Sequence, residues 1–331
     1  MSRIIYDDEY CDASVDDIII SVENPTLISG NENKECTATQ WSSVDGGCII
    51  PVNNTFNKLE PGYYSINFSN SIGMYFQKEN IELNKLYRLP NEATETILND
   101  IDKFWTLEET YQRYERVFKR NYLIYSSPGT GKTSLINIMC KDLIDKYNGI
   151  IFSLSCERDI EAFPEVMKRI RKIEPDRKVI AVIEDIDNFC YSHKNSSTLN
   201  TLLLNILDGN MKFGNLVVIA TTNYIDQLEE RYVNRPSRFD RVIEFPLPNE
   251  MSRRIFICQT INENDINKIN IEEWVEKTKG FTIDHINELI LLHFVFGHTE
   301  EESFKIINKM VHENSNLTNT SKLNKKTLDF G

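Results

Sequence analysis

The spacing of apolar and polar positions changes along the chain. Short apolar runs in residues 1–88, such as 47–52, are separated by polar, turn-rich stretches, a pattern typical of a small β-rich module. Two further runs, 63–68 and 74–78, flank residues 69–73 and predict a hairpin with a loop of about five residues. No residue of this part suggests catalytic chemistry.

Strands and helices alternate in the middle of the chain. After Pro90, Asn91 is placed to cap a helix with apolar positions at helical spacing, and a second helix is predicted to run through Phe118. From residue 122 onward, apolar runs alternate with amphipathic segments, which predicts a parallel sheet with helices on both faces. The predicted strands are 122–125, 149–154, 178–183, 216–221 and 242–245, and the helices between them are 132–147, 161–173 and 199–207.

Beyond Pro248 the β-type runs stop, and helical spacing continues to His312. Thr299 and Glu302 have the spacing of a capping box at the start of the last helix. The predicted helices are 251–261, 271–278, 283–296 and 299–312. The polar composition of the remaining residues predicts a flexible tail. The pattern thus predicts a β-rich module at 1–88, an α/β core at 89–248, a helical region at 249–313 and a tail at 314–331.

Composition restricts the class of protein. Hydrophobic residues make up 40% and charged residues 26% of the 331 residues, and no apolar run approaches the roughly 18 residues that a membrane helix needs. The first residues are acidic where an export signal would be apolar, so we expect an intracellular, cytoplasmic protein. The seven cysteines are odd in number and include no C-x-x-C pair, which favours reduced thiols over disulfides or a zinc site.

Charge bears on the choice of partner. The net charge of -13 and the pI near 5.0 mean that the average surface repels nucleic acid, which favours protein partners. A basic cluster could still hold nucleic acid locally, although such runs are more often a solvated helix face or a subunit contact. The cluster comprises Lys168, Arg169, Arg171, Lys172, Arg177 and Lys178. Three histidines, His285, His293 and His298, lack acidic or cysteine partners at ligand spacing, so packing explains them better than a metal site.

A glycine-rich loop follows the first predicted strand of the core and opens a helix. In this context, backbone N–H groups of the loop and the N-terminus of the helix converge on phosphate oxygens. Lys132 would reach the β and γ phosphates, and Thr133 would offer its hydroxyl to Mg²⁺. The candidate binding residues are Ser126, Ser127, Pro128, Gly129, Thr130, Gly131, Lys132, Thr133 and Ser134.

The first glycine of this motif is replaced by Ser126. A positive φ at this position would make serine cost on the order of 1 kcal/mol or more, whereas a β-like conformation would cost little. The substitution is therefore compatible with nucleotide binding, which a positive φ at Ser126 would weaken.

Carboxylates follow the third predicted core strand, 178–183, as Glu184, Asp185 and Asp187. The carboxyl ends of parallel strands lie beside such a phosphate loop, so one carboxylate is expected to hold Mg²⁺ and the next to polarise the attacking water. We assign the metal to Glu184, together with Thr133, and the water to Asp185.

Together these motifs resemble the AAA branch of P-loop ATPases over residues 89–296. The order Glu184 then Asp185 inverts the pair common in that branch. With the helix end Leu203–Gly209 and the segment Thr221–Asn223, this order is similar to the subgroup that contains the mitochondrial Bcs1 translocase. The resemblance implies an ATP-dependent, Mg²⁺-using ATPase with a five-stranded parallel sheet of order 5-1-4-3-2, a C-terminal helical lid, and a hexameric or heptameric ring.

The resemblance also implies roles outside the phosphate loop. Asn223 would orient the lytic water at the end of the fourth strand. Arg235 and Arg238 lie in a segment that resembles R-P-G-R-F-D-R and would be arginine fingers presented to the γ-phosphate of a neighbouring subunit. A rigid guanidinium fork suits charge that is spread over several phosphoryl oxygens. Asp208 matches the position of intersubunit signalling.

Two segments depart from the family pattern. Residues 156–163 lack the aromatic-x-glycine pore loop that the family resemblance would predict for threading of a substrate. Residues 278–286 resemble the lid motif T-x-G-F-S-G-A-D-L, but Ile283, Asp284 and His285 replace its Gly-Ala-Asp. A contact on the adenine side is therefore expected to change.

Three functions are compatible with these features. The first is an ATP-driven remodeller or translocase of proteins, which the acidic charge favours. The second is a nucleic-acid motor or loader, and the third is a nucleotide-gated scaffold with little hydrolysis, suggested by Ser126 and by the short carboxylate of Asp185. Turnover with and without Mg²⁺ separates the third from the others, and stimulation by DNA or RNA separates the second from the first.

Overall fold

A computed structural model describes most of the chain from residue 40 to residue 312. The described residues are 40–44, 48–52, 55–69, 73–79, 89–191, 197–208, 213–228, 232 and 238–312. The predicted tail at 314–331 and the first 39 residues of the predicted N-terminal module lie outside them.

Nine strands are assigned within the described residues. They are β1 Gln40–Val44, β2 Cys48–Val52, β3 Gly62–Ser69, β4 Gly73–Glu79, β5 Lys119–Tyr125, β6 Ile150–Ser153, β7 Val179–Ile183, β8 Leu216–Thr222 and β9 Arg241–Glu244. Strands β1 and β2 form an antiparallel pair of their own, and the other seven form one sheet in the order β4-β3-β6-β7-β8-β5-β9.

The sheet is larger than predicted because the hairpin of β3 and β4 belongs to it. Strand β3 runs parallel to β6, with Tyr63 opposite Ile151, and β4 runs antiparallel to β3. The prediction of a five-stranded, all-parallel sheet is therefore wrong: the order 5-1-4-3-2 is extended by two strands, and the sheet is mixed. The hairpin is present as predicted, but β3 and β4 extend to Ser69 and Gly73, so three residues separate them instead of about five. Its alternating pattern buries Tyr64 and Ile66 against the core, which covers an otherwise open edge of β6.

Helices cover both faces of the sheet. Before the lid they are α1 Glu92–Trp105, α2 Glu108–Arg113, α3 Lys132–Tyr147, α4 Glu157–Ile173, α5 Asp187–Tyr191 and α6 Ser197–Asp208. On one face of the sheet, Ile160 of α4 and Leu203 of α6 are buried in the core. On the other face, Ile97 of α1 and Met139 of α3 are buried. The prediction of an α/β core with helices on both faces is confirmed.

Local signals set several of these boundaries. The side chain of Asn91 accepts a hydrogen bond from the N–H of Ala93 at 2.9 Å and caps α1 as predicted. The second helix is shorter than predicted and ends at Arg113, because Glu115 takes a left-handed conformation with φ +54°, which is typical of a helix end. Phe118 lies just before β5 and stacks on Phe104 with ring centroids 4.3 Å apart.

The C-terminal helices form a separate core. They are α7 Glu250–Thr260, α8 Ile271–Lys277, α9 Ile283–Ile290 and α10 at residues 300–312, with a π-helical turn Leu291–Val295 after α9. Trp274, Phe281 and Leu289 are buried in this core. The predicted capping box is present, since Glu302 N–H donates to Thr299 Oγ1 at 3.3 Å and Glu302 Oε2 accepts from Thr299 N–H at 3.0 Å.

Hydrogen bonds connect this lid to the α/β core. Ser252 Oγ donates to Pro90 O at 2.7 Å, and the buried guanidinium of Arg253 donates to Pro248 O at 3.1 Å. The N–H of Asp284 donates to Gly129 O in the phosphate loop at 3.1 Å. The lid therefore rests directly on the loop that was predicted to bind phosphate.

Candidate nucleotide-binding site

The phosphate loop connects β5 to α3 at the carboxyl edge of the sheet. Gly129 has φ +77° and Gly131 has φ +105°, values that favour glycine and let the loop curl before the helix begins at Lys132. Among the described residues other than glycine, positive φ occurs at Glu115, Asn148, Asp185 and Asn215. Ser126 does not share it, so this conformation gives no penalty for serine in place of glycine.

The hydroxyl of Ser126 contributes bonds that glycine could not make. Ser126 Oγ lies 2.5 Å from Thr130 Oγ1 and accepts from Lys132 Nζ at 2.8 Å. Thr130 Oγ1 also donates to Ser127 O at 3.1 Å. The serine at the first position of the motif therefore forms a hydrogen bond within the loop and another with the lysine.

Lys132 lies in the middle of the site and is largely buried. Its Nζ donates to Asn223 Oδ1 at 2.6 Å as well as to Ser126. Burial lowers the pKa of Lys132, and the negative charges of nearby carboxylates, Asp185 first among them, oppose that shift. An anion such as a phosphate group would strengthen the charged form of this ammonium.

The carboxylates at the end of β7 face the loop from the other side. Thr133 Oγ1 donates to Glu184 Oε2 at 2.7 Å, and Asn223 Nδ2 donates to Asp185 Oδ1 at 3.1 Å. Asp185 has φ +49°, an unusual conformation for aspartate, which the bond from its N–H to Thr221 Oγ1 at 3.1 Å accompanies. Asn223 thus bridges the lysine of the loop and the predicted base.

Asp187 is engaged elsewhere. It is buried, and its Oδ1 accepts from Thr222 Oγ1 at 2.6 Å. This bond fixes the start of α5 against the end of β8. Asp187 is therefore less available than Asp185 to accept a proton from an attacking water.

Thr133 and Glu184 have the chemistry that Mg²⁺ prefers. Both present oxygen atoms, and the 2.7 Å between them brings these atoms to one place. Mg²⁺ in nucleotide sites is held by one or two protein oxygens together with phosphates, so no larger cage is required. In the part of the chain that the structure describes, no group of three or more His, Cys, Asp or Glu side chains could bind a metal without such help.

A cleft with mainly apolar walls lies beside the loop. The connection before α1, the helix after the loop, the segment after β9 and the lid all contribute to it. Its lining residues are Leu89, Asn91, Thr94, Thr130, Gly131, Ser134, Leu135, Ile138, Phe245, Pro246, Pro248, Ser252, Phe256 and Ile283. The sequence motifs did not predict most of these lining residues. They come from distant segments of the chain, so they share no regular spacing in the sequence.

Of the two predicted arginine fingers, one lies within the described residues. Arg235 lies outside the described residues. Arg238 is buried, and its Nε and Nη2 donate to the two carboxylate oxygens of Asp208 at 2.8 and 3.2 Å. The pair joins the end of α6 to the segment before β9, and Asn121 Nδ2 donates to Leu207 O beside it at 2.8 Å.

Residues 156–163 form the start of α4 rather than an aromatic loop. Phe163 is buried and its ring centroid lies 6.4 Å from that of Phe152, so it is a core residue. Arg158 stacks over the ring of Phe68, with its guanidinium carbon 3.8 Å from the ring centroid. The first turn of α4 therefore contacts the hairpin of β3 and β4.

The basic cluster and the histidines have internal contacts. Arg171 donates to the carbonyls of Gly214 and Asn215, each at 3.0 Å, and Lys178 lies 4.3 Å from the ring centroid of Tyr147. His285 Nδ1 accepts from the N–H of Thr282 at 3.2 Å. These contacts agree with packing roles.

Comparison with known proteins adds an independent finding. Residues 122–247 match the profile of the ATPase family associated with various cellular activities, AAA. Over 245 residues, 70% of its length, the chain is 30% identical to the ATP-dependent zinc metalloprotease FtsH 2 of Thermoanaerobacter sp. (strain X514), of which 46% is covered.

Two further relatives come from Caenorhabditis elegans. The chain is 26% identical to the probable 26S proteasome regulatory subunit 6B over 193 residues, which are 55% of this chain and 46% of that protein. It is 30% identical to the probable 26S proteasome regulatory subunit 4 over 166 residues, 47% of this chain and 37% of that protein. The chain thus spans less than half the length of each of these relatives. The profile match contains the phosphate loop, the acidic end of β7 and Asn223, and the chain accordingly contains an AAA ATPase domain.

Proposed function

We propose that this chain binds ATP with Mg²⁺, hydrolyses it, and works in a ring of like subunits to remodel or translocate proteins. The contacts of Asn223 carry the proposal. Its amide accepts a hydrogen bond from Lys132 and donates one to Asp185. One side chain therefore holds both the ammonium that would bind phosphate and the carboxylate that would activate water. Thr133 and Glu184 supply the oxygens for the metal beside them.

Each of these side chains has a role in hydrolysis. Lys132 neutralises the β and γ phosphates, and Asp185 accepts the proton of the attacking water, which Asn223 orients. When bound, Mg²⁺ neutralises charge on the phosphoryl oxygens. The apolar cleft next to Gly131 suits the planar base of the nucleotide.

Protein substrates are favoured over nucleic acid. The net charge of -13 repels a polyanion, and the internal contacts of Arg171 and Lys178 remove part of the basic cluster from solvent. The relatives are named as a protease and as proteasome subunits, which supports work on proteins.

Ring assembly and the closer subgroup are parts of the same proposal. A hexamer or heptamer would bring Arg235, and Arg238 once released from Asp208, to the phosphates of a neighbour. The Glu184-Asp185 order supports placement near the Bcs1-like subgroup. No helix among the described residues has the length and apolar character needed to cross a bilayer.

Mixed assemblies test the shared site. Lys132→Ala should lower ATP affinity by about thirtyfold or more, because it removes a charge-assisted bond to phosphate worth about 2 kcal/mol or more. Arg235→Ala should bind ATP and fail to hydrolyse it. In rings that contain both variants, some interfaces pair an intact loop with an intact finger, so part of the phosphate release should return.

The mixture needs two controls. Each variant should melt at nearly the temperature of the unmodified chain, which shows that lost activity is not lost folding. Mass measurement should confirm that mixed rings form. Near-normal ATP affinity in Lys132→Ala would exclude the loop as the nucleotide site, and mixed rings as inactive as their parents would exclude a site shared between subunits.

A further inference from the structure

The first turn of α9 places a carboxylate against the phosphate loop. Asp284 N–H donates to Gly129 O at 3.1 Å, which fixes the backbone of the lid to the loop. The side chain of Asp284 also approaches Gly129: a Cβ placed on Gly129 would lie 2.8 Å from Asp284 Oδ2 and 3.0 Å from Asp284 Cγ. Glycine at 129 thus meets two requirements, since its φ is +77° and its free face is occupied by the lid carboxylate.

Asp284 lies beside the residues that would bind the phosphates. Its carboxylate faces Gly129, three positions before Lys132 in the same loop. The carboxylates at the end of β7, Glu184, Asp185 and Asp187, instead have Thr133, Asn223 and Thr222 as hydrogen-bond donors. Asp284 is exposed and comes from the lid, so its position depends on how the lid lies on the loop.

A carboxylate here opposes the charge of the nucleotide. Phosphate groups bound by the loop would lie close to Lys132, and hence within Coulomb range of Asp284. Two negative charges that lie within a Debye length of each other repel even with water present, and the repulsion grows with the number of phosphate charges. The isosteric amide in place of Asp284 would keep the backbone bond and remove only this repulsion.

We propose that Asp284 is a specificity-determining residue of the nucleotide site, which weakens the binding of a nucleotide in proportion to its phosphate charge. This role rests on the proposed function of the site.

Nucleotide titrations with a matched charge control test this role. Dissociation constants for ATP, ADP and adenosine would be measured by calorimetry on the full chain, without Mg²⁺ so that no hydrolysis occurs. Asp284→Asn should tighten ATP about fivefold and ADP about twofold, as exposed charges at this range predict, and should leave adenosine unchanged. Glu288→Gln removes the same charge one turn further along α9 and should change none of the three.

Other outcomes would overturn the role. Equal tightening of all three ligands would mean that the amide changes the packing of the lid, and weaker binding of adenosine would mean that Asp284 holds the ribose. If Asp284→Asn does not fold, Asp284→Ala takes its place, with the same expected order. A chain that binds no ATP either without Mg²⁺ or with it would refute the proposed function, whereas normal ATP binding with no effect of Asp284→Asn would refute this role alone.

Discussion

A single side chain connects the predicted cation and the predicted base of the candidate site. The amide of Asn223 has its oxygen toward Lys132 Nζ and its nitrogen toward Asp185 Oδ1, which defines the orientation of the amide without ambiguity. An acceptor for a cation and a donor to a carboxylate are thereby combined in one residue. Aspartate at this position would lose the donor, and leucine would lose both.

Asp185 is the residue whose removal should affect chemistry without affecting binding. Asp185→Asn keeps the size of the side chain but cannot accept the proton of water, so turnover should fall by about 10²-fold or more while ATP affinity stays near normal. Steady-state phosphate release and a nucleotide titration would separate the two effects. Asp187→Asn is the comparison, and a larger loss of turnover there than in Asp185→Asn would move the base to Asp187.

Sequence motifs predicted these side chains because phosphate chemistry requires fixed residue types at fixed spacing. Lys132 and Thr133 follow the glycines of one loop, and Glu184 and Asp185 follow one buried strand. Asp284 was visible as a departure from the lid motif, but its contact with Gly129 was not. That contact depends on how two distant segments pack, for which a single sequence has no pattern.

Among the structural elements, the end of α6 and the segment before β9 are joined by one ion pair. The side chain of Arg238 is 6% exposed and that of Asp208 is 15% exposed, so water screens the pair only in part. A finger role for Arg238 stays a prediction, and it would require this pair to separate.

The ion pair should contribute measurably to stability. Arg238→Ala and Asp208→Ala should each lower the free energy of unfolding by about 2–3 kcal/mol, because each breaks an ion pair that is largely shielded from water. The double variant should lose less than the sum of both, with a coupling of about 1–3 kcal/mol. Urea unfolding of the four proteins gives these values, and additive losses would show that the two charges do not interact.

In the whole molecule, the predicted N-terminal module is divided. Strands β1 and β2 form their own pair, whereas β3 and β4 extend the core sheet. Leu59 N–H also donates to Glu174 Oε1 at the end of α4 at 2.7 Å. The boundary predicted after residue 88 followed the polar composition, which cannot show that a hairpin pairs with a strand much later in the chain.

Two truncations distinguish these parts. Removal of residues 1–54 should leave the unfolding transition of the core nearly unchanged. Removal of residues 1–88 should lower the free energy of unfolding by several kcal/mol, because burial of Tyr64 and Ile66 is worth about 2 kcal/mol each and the edge of β6 is left open. Thermal unfolding of both fragments would show the difference, and equal stability would mean that the hairpin is dispensable.

The pairing of β3 with β6 also constrains the order of folding. Gly62 lies opposite Ile150, so the stretch of chain between these paired residues contains α1, β5, the phosphate loop and α3. Closing a loop of this length is entropically costly and slows folding compared with contacts between neighbours. On the ribosome the hairpin leaves the exit tunnel well before its partner strand exists. Its buried face must therefore wait in solvent, and this interval is when the nascent chain is most exposed to aggregation and to chaperones.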